Sequence, residues 1–561
     1  MSPSWKGLMV LVLMVEVNVL AAQDLENINE TKILDYSGGI SASTTAYEAW
    51  GIENRRDPFF WQISANLNFT ILGIVEAPFS MTFSQQNKDF SQPQPFNRFG
   101  ISPTYKALTM HLGHRSMNFS SYTLAGNLFF GAGVEYEPEN SPIRVSAVYG
   151  RFAKPVRRSR HEGLIFSDPT FRRVGYGAKV GFSQNNQDMH FIMFKAADRA
   201  SSVPSFDTLS IRPEENLVLG LISSFRFFNR LTWSTDYAHS MYSSDASGPE
   251  AFIDKYTFVN NLGGLFTPTI SSRYSNAITT SLNYQAEGFQ ISGKYRRVDP
   301  GYTTLGSSFL NNDLEDISGG ITFPLFSRKV TIGGSAGVQR NNLNNQQSAD
   351  IRRFVFSSSV TWMANDRLQL MANYGNYNSS TTQAQIQADI TEEELEYYQV
   401  SRNGTLNVNY SFGKSKYPYQ VSWMGSVQDA TDSDSNSSTF ISNTLGIQKQ
   451  IQTWSTNFST TVNKNRTGEF ESLSTGPALG VNRSFQKGKY RTGFTYNLLN
   501  VFNDGALASR VSNIRLNGNM KIGEKQGLSL SAFFVTKHLI AESEDKDIKE
   551  MRVSLRYNYQ L

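Results

Sequence analysis

The sequence predicts an all-β chain, closed as a single large antiparallel transmembrane β-barrel of about 26 strands, in a range of about 22 to 28. Three observations predict it. The last eleven residues alternate strictly: Met551, Val553, Leu555, Tyr557, Tyr559 and Leu561 share one face, and Arg552, Ser554, Arg556, Asn558 and Gln560 the other. Successive strand side chains point to opposite sides, so this is a strand with one apolar and one polar face. The same two-faced pattern recurs back to about residue 37, at about one strand plus connection per 21 residues. Finally, short turns and long loops alternate along the chain, as they do when every second connection lies on the same rim of a bacterial barrel.

Composition supports this class. Only 39% of the 561 residues are hydrophobic and mean hydropathy is −0.37, so apolar transmembrane helices are excluded. Aromatic content of 13%, with 25 Tyr and 39 Phe, suits strands with aromatic girdles at the membrane rims. The net charge of +4, from 52 basic and 48 acidic residues, gives no argument for nucleic acid as a partner. There are no cysteines, so disulfides, thiolate metal sites and cysteine nucleophiles are excluded. The six histidines, His111, His114, His161, His190, His239 and His538, are scattered. No metal site, cofactor or catalytic set emerges, and the chain does not read as an enzyme.

Taken in order, residues 1–22 read as a signal peptide: Lys6, an apolar run from Leu8 to Leu20, and small residues at Ala21 and Ala22. Residues 23–36 are a polar periplasmic lead-in, and the barrel fills 37–561. Tight-turn chemistry marks one rim at Asn229-Arg230, Glu287-Gly288, Ser327-Arg328, Asn365-Asp366, Gln486 to Lys489 and Glu524 to Gly527. Pro103-Thr104-Tyr105 and Asn185 to Asp188 continue the series. Splitting 95–119 at Pro103 makes the strand number even, as two periplasmic termini require. Longer connections mark the other, extracellular rim, among them 119–125, 154–172, 242–274, 300–313, 379–400, 465–470 and 502–509.

Candidate functional residues fall into two groups. Arg491, Arg515, Lys521, Arg552 and Arg556 share the polar face of neighbouring C-terminal strands. They read as a basic stripe lining a wet lumen, or as the charged half of an internal salt-bridge network. The loop 242–274 is unusually apolar, with Phe252, Tyr256, Phe258, Leu265 and Phe266. It is expected to fold inward as a gate, to be covered by a partner, or to hide a further hairpin. Thr391 can cap a short acidic helix, a constriction or docking element, in 379–400. The basic run Arg157 to Glu162 reads as a solvated or phosphate-binding loop. The run Asp429 to Asn436 has alternating oxygen ligands without the glutamate and glycine of a calcium loop.

Two stretches carry a resemblance. Phe96 to Pro103 through His111-Leu112-Gly113-His114-Arg115 and Ser121-Tyr122-Thr123-Leu124-Ala125-Gly126, and then Tyr302-Thr303-Thr304-Leu305-Gly306-Ser307 to Asn311-Asn312-Asp313, resemble large outer-membrane β-barrel proteins of the Bacteroidota type. The resemblance implies the barrel fold and a Gram-negative outer-membrane location. It implies no activity that attaches to particular residues.

The expected function is a passive channel or transport pore with inward-folded extracellular loops, embedded in outer-membrane lipid. Two alternatives stand beside it: a barrel component of a larger export or assembly complex, plugged by outer-membrane or periplasmic partner proteins, and a surface binding or adhesion platform.

Overall fold

The computed structural model describes residues 32–561 except 86–93, 95, 157–158, 162–163, 168, 204–210, 253–261, 263, 347–351, 380–398, 415–416, 433–436 and 541–545. Twenty-seven strand segments form one antiparallel sheet. Two of them, Arg98–Ile101 and Thr104–Tyr105, both pair with Val75–Ser84 on one side and Leu108–Asn118 on the other, and so are halves of one strand. The barrel therefore has 26 strands. It closes where the first strand, Leu34–Trp50, pairs with the last, Lys546–Gln560, from Gly39↔Gln560 to Trp50↔Lys549. Closure leaves the sheet no free edge, as a lipid environment demands.

Register settles the faces. Tyr557, Leu555, Val553 and Met551 stand opposite Leu528, Leu530, Ala532 and Phe534 on the outward side. Arg556, Ser554 and Arg552 stand opposite Ser529, Ser531 and Phe533 on the inward side. At the short-turn rim the outward face carries an aromatic row. Tyr410 and Phe412 stack at 5.8 Å, Phe412 and Tyr419 at 5.1 Å. Such rings sit well at an interface that is apolar on one side and wet on the other.

The structure corrects several boundaries. The first strand begins at Leu34, inside the expected lead-in. Pro103 is not a turn: it interrupts a strand, lacking an N–H for the ladder, and the turn lies at Lys106–Ala107, where Lys106 has φ 51°. The expected long loops 465–470 and 502–509 are two-residue hairpins. Strands run to Thr467 and from Phe470, and to Asn503 and from Ala506. Asp504 (φ 47°) and Gly505 (φ 85°) supply the left-handed pair that a tight hairpin needs. Asp429 is not a loop ligand but part of the strand Tyr419–Asp432, where it accepts a hydrogen bond from Thr439. In the loop 154–172, Ser159–His161 and Leu164–Ser167 form a small separate hairpin. The suggested helix at Thr391 lies outside the described residues.

Candidate functional site

Two loops on the long-loop rim turn into the barrel and pack against its inner wall. The first follows Leu108–Asn118 and contains Phe119, Tyr122 and Leu124, all buried. The second links Gln290–Val298 to Leu314–Leu325 and contains Tyr302 and Leu305, also buried. They meet the wall between Ala125–Tyr136 and Ser272–Gln285. There the inward face is apolar, against the rule for a wet lumen. Phe129, Phe152 and Phe194 project inward with ring centroids 5.8 and 5.5 Å apart. Leu305, Leu124 and Phe119 complete that cluster. Tyr122 and Tyr302 form a second cluster over Val218, Ala238, Ala277 and Val298.

The loops are tied to each other and to the wall. Tyr302 donates its hydroxyl to the Tyr122 carbonyl at 2.6 Å, and Thr304 donates to the Thr123 carbonyl at 2.7 Å. The Ala125 amide donates to the Gly306 carbonyl at 3.0 Å. A Cβ on Gly306 would lie 2.4 Å from the Thr123 carbonyl oxygen, so the approach needs glycine. Asn216, fully buried on the wall, reads the second loop. Its amide donates to the Thr303 carbonyl (3.3 Å) and Ser240 Oγ (2.9 Å), and its carbonyl accepts from the Leu305 amide (3.1 Å). Tyr122 bonds Thr279 at 2.6 Å, and the Ser121 amide donates to Asp236 at 3.2 Å. Burial, reinforced by the nearby Asp236 carboxylate, pushes the Tyr302 hydroxyl well above the usual tyrosine range, so it stays a donor into alkaline solution.

Several charges on this side of the lumen are paired. Arg173 makes a two-pronged contact with Asp198 (2.8 and 2.9 Å) and also bonds Glu214, which accepts from Tyr242 at 2.6 Å. Arg296 pairs with Asp316 at 2.6 Å. His111 lies between Ser102 Oγ (3.0 Å) and Glu135 (3.2 Å). Among the described residues no three ligand-type side chains come together as a metal site.

The opposite wall is different. One register row runs Ser359, Asn373, Thr405, Ser426, Ser442, Asn463 and Ser474 across seven strands. Some neighbours in it bond directly: Ser442 donates to Asn463 Oδ1 at 2.7 Å, Asn373 to Thr405 at 3.3 Å. This belt of hydroxyls and amides can exchange hydrogen bonds with water or a polar solute, without charge.

The basic residues stand on the strands that follow. Arg491, Arg515, Lys521, Arg552 and Arg556 are all on the inward face. The Arg515 and Arg552 guanidinium groups lie 5.6 and 5.7 Å from the ring of Phe533, on the strand between theirs. That ring was not singled out in the sequence, although its place between apolar-face residues Ala532 and Phe534 marks it as a bulky residue on the polar face.

The apolar loop does not bring its described residues to the lumen. Leu265 and Phe266 pack against Leu217, Leu219, Met241 and Tyr274, which face outward, and the Gly264 carbonyl accepts from outward Lys195 at 3.3 Å. Phe252 is exposed, and Tyr256 and Phe258 lie outside the described residues. The inward elements are instead the two stretches rich in Tyr and Thr, Tyr122 to Gly126 and Tyr302 to Gly306. Apolar residues in such short loops were the available signal.

No family model and no curated protein matches the chain. Among solved structures it is similar to the P pilus usher (PapC) translocation pore, with 10% identity and TM-score 0.38 over 94% of this chain and all of that one. It is similar to the copper transporter OprC at 9% identity and TM-score 0.40, covering 95% and 82% of the two chains. It is also similar to the ferric yersiniabactin uptake receptor FyuA from Yersinia pestis at 10% and 0.40, covering 94% and 80%.

Proposed function

We propose that this chain is an outer-membrane transport barrel, a passive pathway whose lumen is narrowed by its own loops 119–124 and 299–313. The carrying observation is the packing of those loops on an apolar inner wall, opposite an inner wall of small hydroxyl and amide side chains. Twenty-six strands about 4.8 Å apart, tilted by about 40°, close a backbone ring roughly 50 Å across if circular. A lumen of that width leaks unless something fills it. Two short loops fill one side, and among the described residues no loop packs on the polar belt. Polar solutes of moderate size are the class this lining admits.

The exposed belt also favours a second reading, in which a partner protein fills the remaining space and the barrel serves an export or assembly complex. Planar-bilayer conductance, with size exclusion by uncharged polymers, separates the two. The self-narrowed channel is expected to show steady openings that grow when residues 301–311 are replaced by a short Gly-Ser link. Openings unchanged by that replacement, or none in either protein, overturn it.

A further inference from the structure

On the outward face, close to the short-turn rim, the strands Trp454–Thr467, Phe470–Phe485, Tyr490–Asn503, Ala506–Lys521 and Gln526–Leu539 surround a depression of about 430 Å³. Its floor is made by small side chains at consecutive register positions: Thr492 and Gly518 in one row, Ala532 in the next. Phe494, Leu516 and Leu530 form its walls. One end is polar. Arg483, opposite Thr492 on the next strand, holds its guanidinium 4.4 Å from the Trp454 ring centroid and 4.2 Å from that of Phe485. Its Nε is buried and has no hydrogen-bond partner among the described residues.

An arginine on the outward face of a barrel is costly unless it lies near the interface, and Arg483 does. It is two residues from the strand end at Phe485. At about 3.4 Å per residue, this is headgroup depth. The two rings hold the guanidinium plane in place, so little freedom is lost when it binds an anion. A second outward cation, Lys449, is occupied: it lies over the Tyr419 ring at 3.5 Å and donates to the Tyr417 carbonyl at 2.8 Å.

We infer that this depression is a binding site for one glycerophospholipid of the periplasmic leaflet, its phosphate on Arg483 and an acyl chain in the cleft over Gly518. The two ends of the cleft match the two ends of such a lipid. A guanidinium takes a phosphate oxygen by charge-assisted hydrogen bonds, and the apolar floor takes the chain. Assignment of this rim to the periplasmic leaflet rests on the outer-membrane reading above; the site itself rests on the groove.

The test is native mass spectrometry of the full chain in detergent, titrated with phosphatidylglycerol. One lipid is expected to stay bound at the lowest lipid ratio. Arg483→Gln is expected to weaken retention about tenfold. Gly518→Leu, whose added Cβ meets open space, is expected to do the same with the charge intact, by filling the cleft. Equal retention by wild type and either folded variant, judged by heat-modifiable gel migration, overturns the site. Displacement of the lipid by millimolar inorganic phosphate overturns the role of the chain-binding cleft. Both variants lie outside the lumen, so single-channel conductance should not move with them. Lipid retention in a protein that does not conduct would sink the transport reading alone.

Discussion

Asn216 is the wall residue that bonds both a carbonyl and an amide of the second inward loop. One buried amide satisfies a carbonyl and an N–H of that loop and ties both to Ser240. Asn216→Leu keeps the branched shape and takes the acceptor from the Leu305 amide, while the Thr303 carbonyl keeps the Ser240 hydroxyl at 2.6 Å. Each buried group left unpaired costs about 1–3 kcal/mol, and the loop can avoid the cost by leaving the wall. The expected outcome is release rather than unfolding: the Leu305 amide exchanges at least about tenfold faster, while strand amides keep their protection. Arg515 and Arg552 make the opposite point. Among the described residues they lie against Phe533 rather than against a carboxylate, which leaves their charge facing the lumen. Replacing both with glutamine should lower the anion preference of the pore at low salt and change little at about 1 M, where the screening length is about 3 Å.

At the scale of elements, two apolar connections have opposite fates. Both cover hydrophobic wall, but Tyr302 and Leu305 cover it from inside and Leu265 and Phe266 from outside. Phe266→Asp is therefore expected to leave conductance unchanged, while Tyr302→Ala raises it. Equal effects of the two would contradict the assignment of faces. Strand order and faces were legible in the sequence because a period of two is a local signal that survives over hundreds of residues. The fate of the loops was not. Whether an apolar loop folds in or out depends on which wall face is apolar at its own height, and Phe129, Phe152 and Phe194 reach that height from three different strands. The contact of Tyr122 with Tyr302 spans 180 residues and leaves no periodic trace. The turn at Asp504-Gly505 was legible in principle, since an Asp-Gly pair is among the strongest hairpin signals. It was obscured by the expectation that every connection on that rim is long.

For the whole molecule, the inner surface is divided rather than uniform. One arc is apolar and covered by loops, one is a neutral polar belt, and one carries cations that pair with no carboxylate among the described residues. On the proposed transport reading, a solute crossing the barrel meets the second and third arcs and not the first. The seam between Leu34–Trp50 and Lys546–Gln560 has a consequence of a different kind. Every other barrel strand pairs with strands next to it along the chain, so hairpins can accumulate in order as the polypeptide emerges. The seam alone joins residues such as Thr45 and Ser554, 509 positions apart, hydrogen-bonded at 2.9 Å. Until that zip is fastened, the growing sheet has two raw edges, each a template for aggregation. Ring closure, which pairs residues hundreds of positions apart, is thus expected to be the slow step of folding. A chain shortened by its final strand would be an open ribbon, which a cell would have to degrade or shelter.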